Sequence, residues 1–219
     1  MKPYQKLDGG VLHSVREYDI AEGTSIQAGQ VVVLSAGLVE AAAAGVTGQI
    51  LGVAAESHSG QADSLNPRAN GGKISVYDDP GQVFRCAAPV IAATSGTAAT
   101  VVAGGIGTFA DDDFNGGYLM LLAKAEGSTN TDPVGTVKRI SDFAATTKTF
   151  TVASGGTANA GDTYALFPPV GFAKGNLSAD RSALVLTAVA ALPLKVVGRL
   201  EGSREIMLTP GKHVFAVSV

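Results

Sequence analysis

Glycine and proline interrupt this sequence so often that few windows remain long enough for a helix. The 219 residues include 28 Gly and 9 Pro. Between these breaks the apolar residues alternate or come in short runs, the pattern of strands. Gln30–Leu34 (QVVVL) follows a turn at Ala28-Gly29; Ser35-Ala36-Gly37 breaks it, and Leu38–Ala42 resumes. Ile50–Ala55 is a further apolar run. Lys73–Tyr77 (KISVY) and Gln82–Cys86 (QVFRC) flank Asp78-Asp79-Pro80-Gly81. That piece reads as a hairpin loop, because Pro fixes φ and Gly permits positive φ.

Beyond it, Gly117–Lys124, Thr136–Phe143, Lys148–Ser154 and Asp162–Phe167 suit a meander of hairpins with Gly-, Asn-, Ser-, Thr- and Asp-rich connections. After Pro168-Pro169 come Ala183–Ala188, Leu194–Leu200, Glu205–Leu208 and His213–Val219. Ser178–Val189 is also readable as a helix capped by Ser178, but the β-branched share of its apolar residues favours a strand. The expected fold is all-β: a compact core domain from residues 11–91 and 170–219, with a β-hairpin subdomain inserted over 92–169. Residues 1–10 form an N-terminal arm.

Charge narrows the function. Sixteen Lys and Arg against 19 Asp and Glu leave a net charge of −3, and charged residues make up 16% of the chain. A nucleic-acid binder needs a basic face to displace counterions, so nucleic acid is not an expected partner. Globular chains carry roughly 25% charged residues. The shortfall fits a turn-rich β fold, a surface covered by other subunits, or both, since interface cores are depleted in Lys, Glu and Asp. Cys86 is the single cysteine and cannot anchor a disulfide framework. Met1–Ile20 carries six charged residues and no apolar run, so it is not a secretory signal. Cys86–Ala110 has no charge, but its Gly, Ser, Thr and Ala content falls short of a membrane span.

Catalytic patterns are missing. His13, His58 and His213 stand apart, with no HExxH and no second His or Cys within a turn. No GxSxG elbow is present. Cys86 reads as a small buried residue rather than a nucleophile. Asp111-Asp112-Asp113-Phe114-Asn115-Gly116 matches the opening half of a calcium loop through Asp111, Asp113 and Asn115. Its twelfth position is Leu122 where a bidentate Glu is required, so a solvated turn before a strand is the competing reading. Gly105-Ile106-Gly107 with Ala110 gives a GxGxxA string, yet the acidic run behind it would repel a pyrophosphate. No cofactor is expected. Ile20–Val31 has the glycine rhythm of a biotinyl or lipoyl hammerhead or a β-clip module, without the displayed lysine that a carrier needs.

Three stretches together resemble a known family: Ala21–Ala55, Phe114–Leu166 (with DFNGGYL, KRISDF, TKTFTV and AGDTYAL) and Leu194–Val219 (LKVVGRLEGSREIMLTPGKHVFAV). They are similar to the head decoration, or capsid cement, proteins of tailed bacteriophages and related gene-transfer particles. The resemblance implies a non-enzymatic protein, its core domain a compact β-barrel or β-tulip-like fold, on the capsid exterior of the virion and assembled in the host cytoplasm. It further implies a homotrimer that binds the major capsid protein and braces junctions between its subunits. The arm residues Lys2, Pro3, Tyr4, Gln5, Lys6 and Leu7 are the expected capsid contacts; ten extended residues reach ~33 Å. Two rival readings stand beside it: a head-fibre or tail accessory protein whose insertion binds a receptor or glycan, and a small β-clip hydrolase or carrier module. The last could draw titratable groups only from Glu56 and His58 or from Asp111–Asp113.

Overall fold

The computed structural model describes residues 1–6, 14–20, 23–43, 46, 49–58, 72–178, 181–187, 192–212 and 214. His13, His213 and the expected contact Leu7 lie outside them. The described residues contain eighteen strands and no helix. In chain order the first are β1 (Lys2–Lys6), β2 (Val15–Asp19), β3 (Val31–Ser35), β4 (Leu38–Ala41), β5 (Gly52–Ala54) and β6 (Lys73–Tyr77). Then follow β7 (Gln82–Ala87), β8 (Val90–Ala92), β9 (Ser95–Thr97), β10 (Thr100–Val102), β11 (Tyr118–Ala123) and β12 (Val137–Ala144). The last are β13 (Thr149–Val152), β14 (Thr163–Phe167), β15 (Gly175–Leu177), β16 (Leu184–Leu186), β17 (Leu194–Arg199) and β18 (Glu205–Pro210).

They form four antiparallel sheets. A five-stranded valine sheet has the order β2-β6-β5-β3-β4, and a four-stranded joining sheet the order β1-β7-β18-β17. A seven-stranded large sheet runs β8-β14-β11-β12-β13-β10-β9, and β15 pairs with β16 as a separate hairpin. The large sheet is drawn wholly from Val90–Phe167, whereas the joining sheet takes strands from both sides of that stretch. The fold is therefore all-β, but no sheet closes into the expected barrel: each begins and ends on different strands. The stretch read as either helix or strand is β16, paired in register with β15 from Gly175↔Leu186 to Leu177↔Leu184.

The largest correction concerns Asp78–Gly81. The flanking strands do not pair with each other; β6 pairs with β2 and β5, and β7 with β1 and β18. The turn is a corner carrying the chain from one sheet to the next. Its residues bend as expected, with the Gly81 and Gln82 amides donating to the Asp79 side-chain and main-chain oxygens. Partner choice is set by Asp78 instead. Its carboxylate is 2% exposed and accepts from Ser14 Oγ at 3.2 Å and from the Tyr18 hydroxyl, with Arg16 Nε at 3.4 Å. These groups lie on or beside β2, so the acid ties the corner to the valine sheet. The tight hairpin lies elsewhere, at Ala36-Gly37 between β3 and β4, where both φ angles are positive (49° and 85°). That is the backbone twist two-residue hairpins prefer.

Strand periodicity explains the core. In β3, Val31 faces the main cluster and Val32 the opposite one; in β5, Val53 and Ala54 divide the same way. Burial on both faces is why these strands read as continuous apolar runs. The main cluster continues through Phe84 and Cys86 of β7 and Ile206 and Leu208 of β18 into the large sheet. There Phe114 is fully buried, with Phe109, Phe143, Phe150 and Phe172 around it at centroid distances of 4.9–5.5 Å. Phe109 and Phe143 meet Phe114 edge-to-face, Phe143 standing at 88°, while Phe172 stacks on it at 27°.

Candidate functional site

The residues with most chemical promise in the sequence are engaged in holding loops. In the acidic run, Asp111 Oδ1 accepts from the Ala145 amide at 2.7 Å and Asp112 Oδ1 from Asn115 Nδ2 at 2.6 Å. Asp113 accepts from the Ala110 amide at 2.8 Å and takes both carboxylate oxygens to Lys174 Nζ at 2.6 and 2.7 Å. The three carboxylates thus point to three different partners and do not converge on a common point. The turn seats Phe114 in the core, which a run of charge preceding an aromatic could have signalled. Among the described residues no group of three or more His, Cys, Asp or Glu is arranged to hold a metal.

The other titratable candidates are placed similarly. Glu56 Oε1 accepts from the Ser75 amide at 2.9 Å, and Ser57 Oγ from the Ala28 amide at 3.0 Å. His58 exchanges both backbone hydrogen bonds with Ile26, and its Nδ1 is buried without a partner. Burial pushes the Cys86 thiol up to about 12, so it remains protonated and a poor nucleophile near neutral pH. Among the described residues, no helix is long and apolar enough to cross a membrane.

A polar centre that sequence reading missed lies in the large sheet. Asp162 is fully buried and accepts from the Ala125 and Asn159 amides at 2.9 and 3.1 Å and from Asn130 Nδ2 at 3.0 Å. Burial alone would raise its pKa, but these donors together outweigh burial and hold the carboxyl below its ordinary 3.8. Asp132 behaves likewise: burial opposes the charge, and Lys138 Nζ at 2.5 Å with the Gly156 amide at 2.9 Å prevails. Backbone and side chains crowd closely here. A Cβ on Gly156 would stand 2.1 Å from Asn130 Oδ1, so only glycine fits. This network clamps the β11–β12 loop to the β13–β14 loop.

The expected contact arm is not a free tail. Lys2–Lys6 is the outer strand of the joining sheet, with Lys2↔Arg85, Pro3↔Phe84, Gln5↔Val83 and Lys6↔Gln82 in register and a bulge at Tyr4. An edge position tolerates Pro3, whose missing N–H breaks no inner ladder. The Tyr4 ring lies under the Arg85 guanidinium, 5.9 Å from its centroid. These residues are therefore held against their own chain, and their reach to a neighbour is shorter than an extended arm would give.

What the surface offers is strand edge and an apolar groove. Among the described residues, β8 ends the large sheet and pairs only with β14, while β16 pairs only with β15. Between these two strands lies a groove of about 440 Å³, lined by Ala88, Val90, Ile91, Ile106, Leu184 and Val185 among others. Val90 is 63% and Val185 45% exposed. The GxGxxA glycines Gly105 and Gly107 lie in its wall, where they shape a surface rather than cradle a phosphate. The chain matches no protein-family model, no curated protein and no solved structure.

Proposed function

We propose that this chain is a structural protein that decorates the outside of a bacteriophage head, binds the major capsid protein and braces the junctions between its subunits. The observation that carries the reading is the groove beside β8, where exposed valines flank a strand whose outer backbone pairs with no described strand. An edge of that kind accepts an added strand from another chain, main-chain bonds supplying affinity and the apolar wall supplying fit. The low charge of the sequence suits broad close contact. A homotrimer at the local three-fold axes would repeat each weak contact and raise avidity through effective concentration.

Mixing the purified chain with undecorated, expanded capsids tests this. Saturable binding at a fixed stoichiometry, with a higher disruption temperature for the decorated particle, is the expected result. Capsids that take up no protein would end the reading.

A further inference from the structure

We propose that a second pocket, where the valine sheet, the joining sheet and the β15–β16 hairpin meet, is a carboxylate-binding site built on Arg85 and Arg181. The pocket has a volume of about 380 Å³ and is lined by Ala28, Arg85, Cys86, Arg181 and Glu205, with the Met1 backbone at its side. Its chemistry is separate from the apolar groove, and the inference does not depend on what the molecule decorates.

Two observations point to an absent acceptor. Four buried side-chain polar atoms among the described residues have no hydrogen-bond partner, and two of them are the Nε atoms of Arg85 and Arg181. A buried donor without an acceptor is unfavourable, the more so when charged, and two such donors belong to residues around one concavity. The described contacts leave capacity on each guanidinium. Arg85 reaches Glu205 Oε2 through one terminal nitrogen at 3.3 Å and stacks on Tyr4; Arg181 donates one terminal nitrogen to Gln27 Oε1. A guanidinium presents five donors in a fork that matches the two oxygens of a carboxylate. The second observation is the backbone of Arg181, held at φ 59°. A non-glycine residue in that region is strained, and such strain gathers at binding sites.

Charge selects the ligand. Two guanidiniums face one carboxylate, Glu205, so the pocket side chains carry a single net positive charge. The Met1 nitrogen beside them already donates to the Gly29 and Arg181 carbonyls at 3.2 and 2.8 Å. The Met1 ammonium adds to that charge, so the pocket calls for an anion, and a carboxylate offers its two oxygens to the fork of either guanidinium. The ligand is thus an acidic side chain of another polypeptide or a small free carboxylic acid.

The test is a titration of the isotopically labelled full chain at fixed ionic strength, following the arginine Nε–H resonances by NMR. The probes are a capped Ala-Glu-Ala peptide, acetate and inorganic phosphate. The peptide and acetate should shift the Arg85 and Arg181 signals saturably. Tighter binding of the peptide assigns the ligand to a protein side chain, and equal affinities assign it to a small acid. Arg181→Gly removes the guanidinium while relieving the backbone, so the fold persists, and affinity should fall about tenfold or more. Tighter binding of phosphate than of either carboxylate would overturn the proposal. So would Nε–H signals that do not move, or an unchanged affinity in Arg181→Gly.

Discussion

The large sheet gathers four phenylalanines around Phe114, while the valine sheet buries Ile20, Ile26, Val32, Val39, Leu51, Ala54, Ile74 and Val76, with the half-buried Tyr18 packed against them. The loops differ as well. A fully buried acid network around Asp162 fixes the connections of the large sheet, and a single acid, Asp78, fixes the corner of the valine sheet. Few large side chains concentrate packing energy at one point; many small ones distribute it along strands. The large sheet should therefore be brittle to single changes, and the valine sheet tolerant of them.

Phe114→Ala is the sharpest way to break that contrast. Removing a fully buried ring at the centre of four others should cost about 3–5 kcal/mol, read as the fall in urea midpoint at unchanged slope. Asp162→Ala should come next, at about 3 kcal/mol, because two amides and the Asn130 side chain lose their acceptor in a closed environment. The unaltered protein carries the same information in its pH dependence. The folded carboxyls of Asp162 and Asp132 titrate below the ordinary 3.8. Their contribution is fully present above that value and is lost as pH falls through the lowered folded values. Melting temperature should therefore drop on acidification in that range, and the drop should be smaller in Asp162→Ala. Ile74→Val in the valine sheet should cost only about 1 kcal/mol, measured by the same urea unfolding. A loss in Ile74→Val matching that of Phe114→Ala would erase the distinction between the two regions.

The legible parts of the fold were those decided locally. Gln30–Leu34 announces β3, and Lys148–Ser154 announces β13, because alternation and glycine breaks act within a few residues. Pairing was less legible. Asp78–Gly81 has the residues of a hairpin loop, yet the buried contacts of Asp78 with Ser14 and Tyr18, distant in sequence, send the two flanking strands to different sheets. The acidic run at Asp111 is ambiguous for a related reason: only the positions of Ala145 and Lys174 decide that its oxygens accept from protein groups. Lys2–Lys6 reads as a tail because nothing in its own residues names β7 as partner. The Arg85 and Arg181 pocket was invisible for the same cause. Neither arginine belongs to a motif, and only the meeting of three sheets brings them to one cavity.

The pairing of β8 with β14 has a bearing on how the chain assembles. Thr163 lies across from Ala92, so the stretch that makes the large sheet enters and leaves at neighbouring points. Bringing β7 onto β18 means closing a very long intervening segment, and the entropy lost grows with its length. Once the large sheet has formed, that segment no longer counts at full length, since its two ends are already side by side. The aromatic unit is thus a shortcut through the polypeptide, and it shortens the closure that brings β7 onto β18.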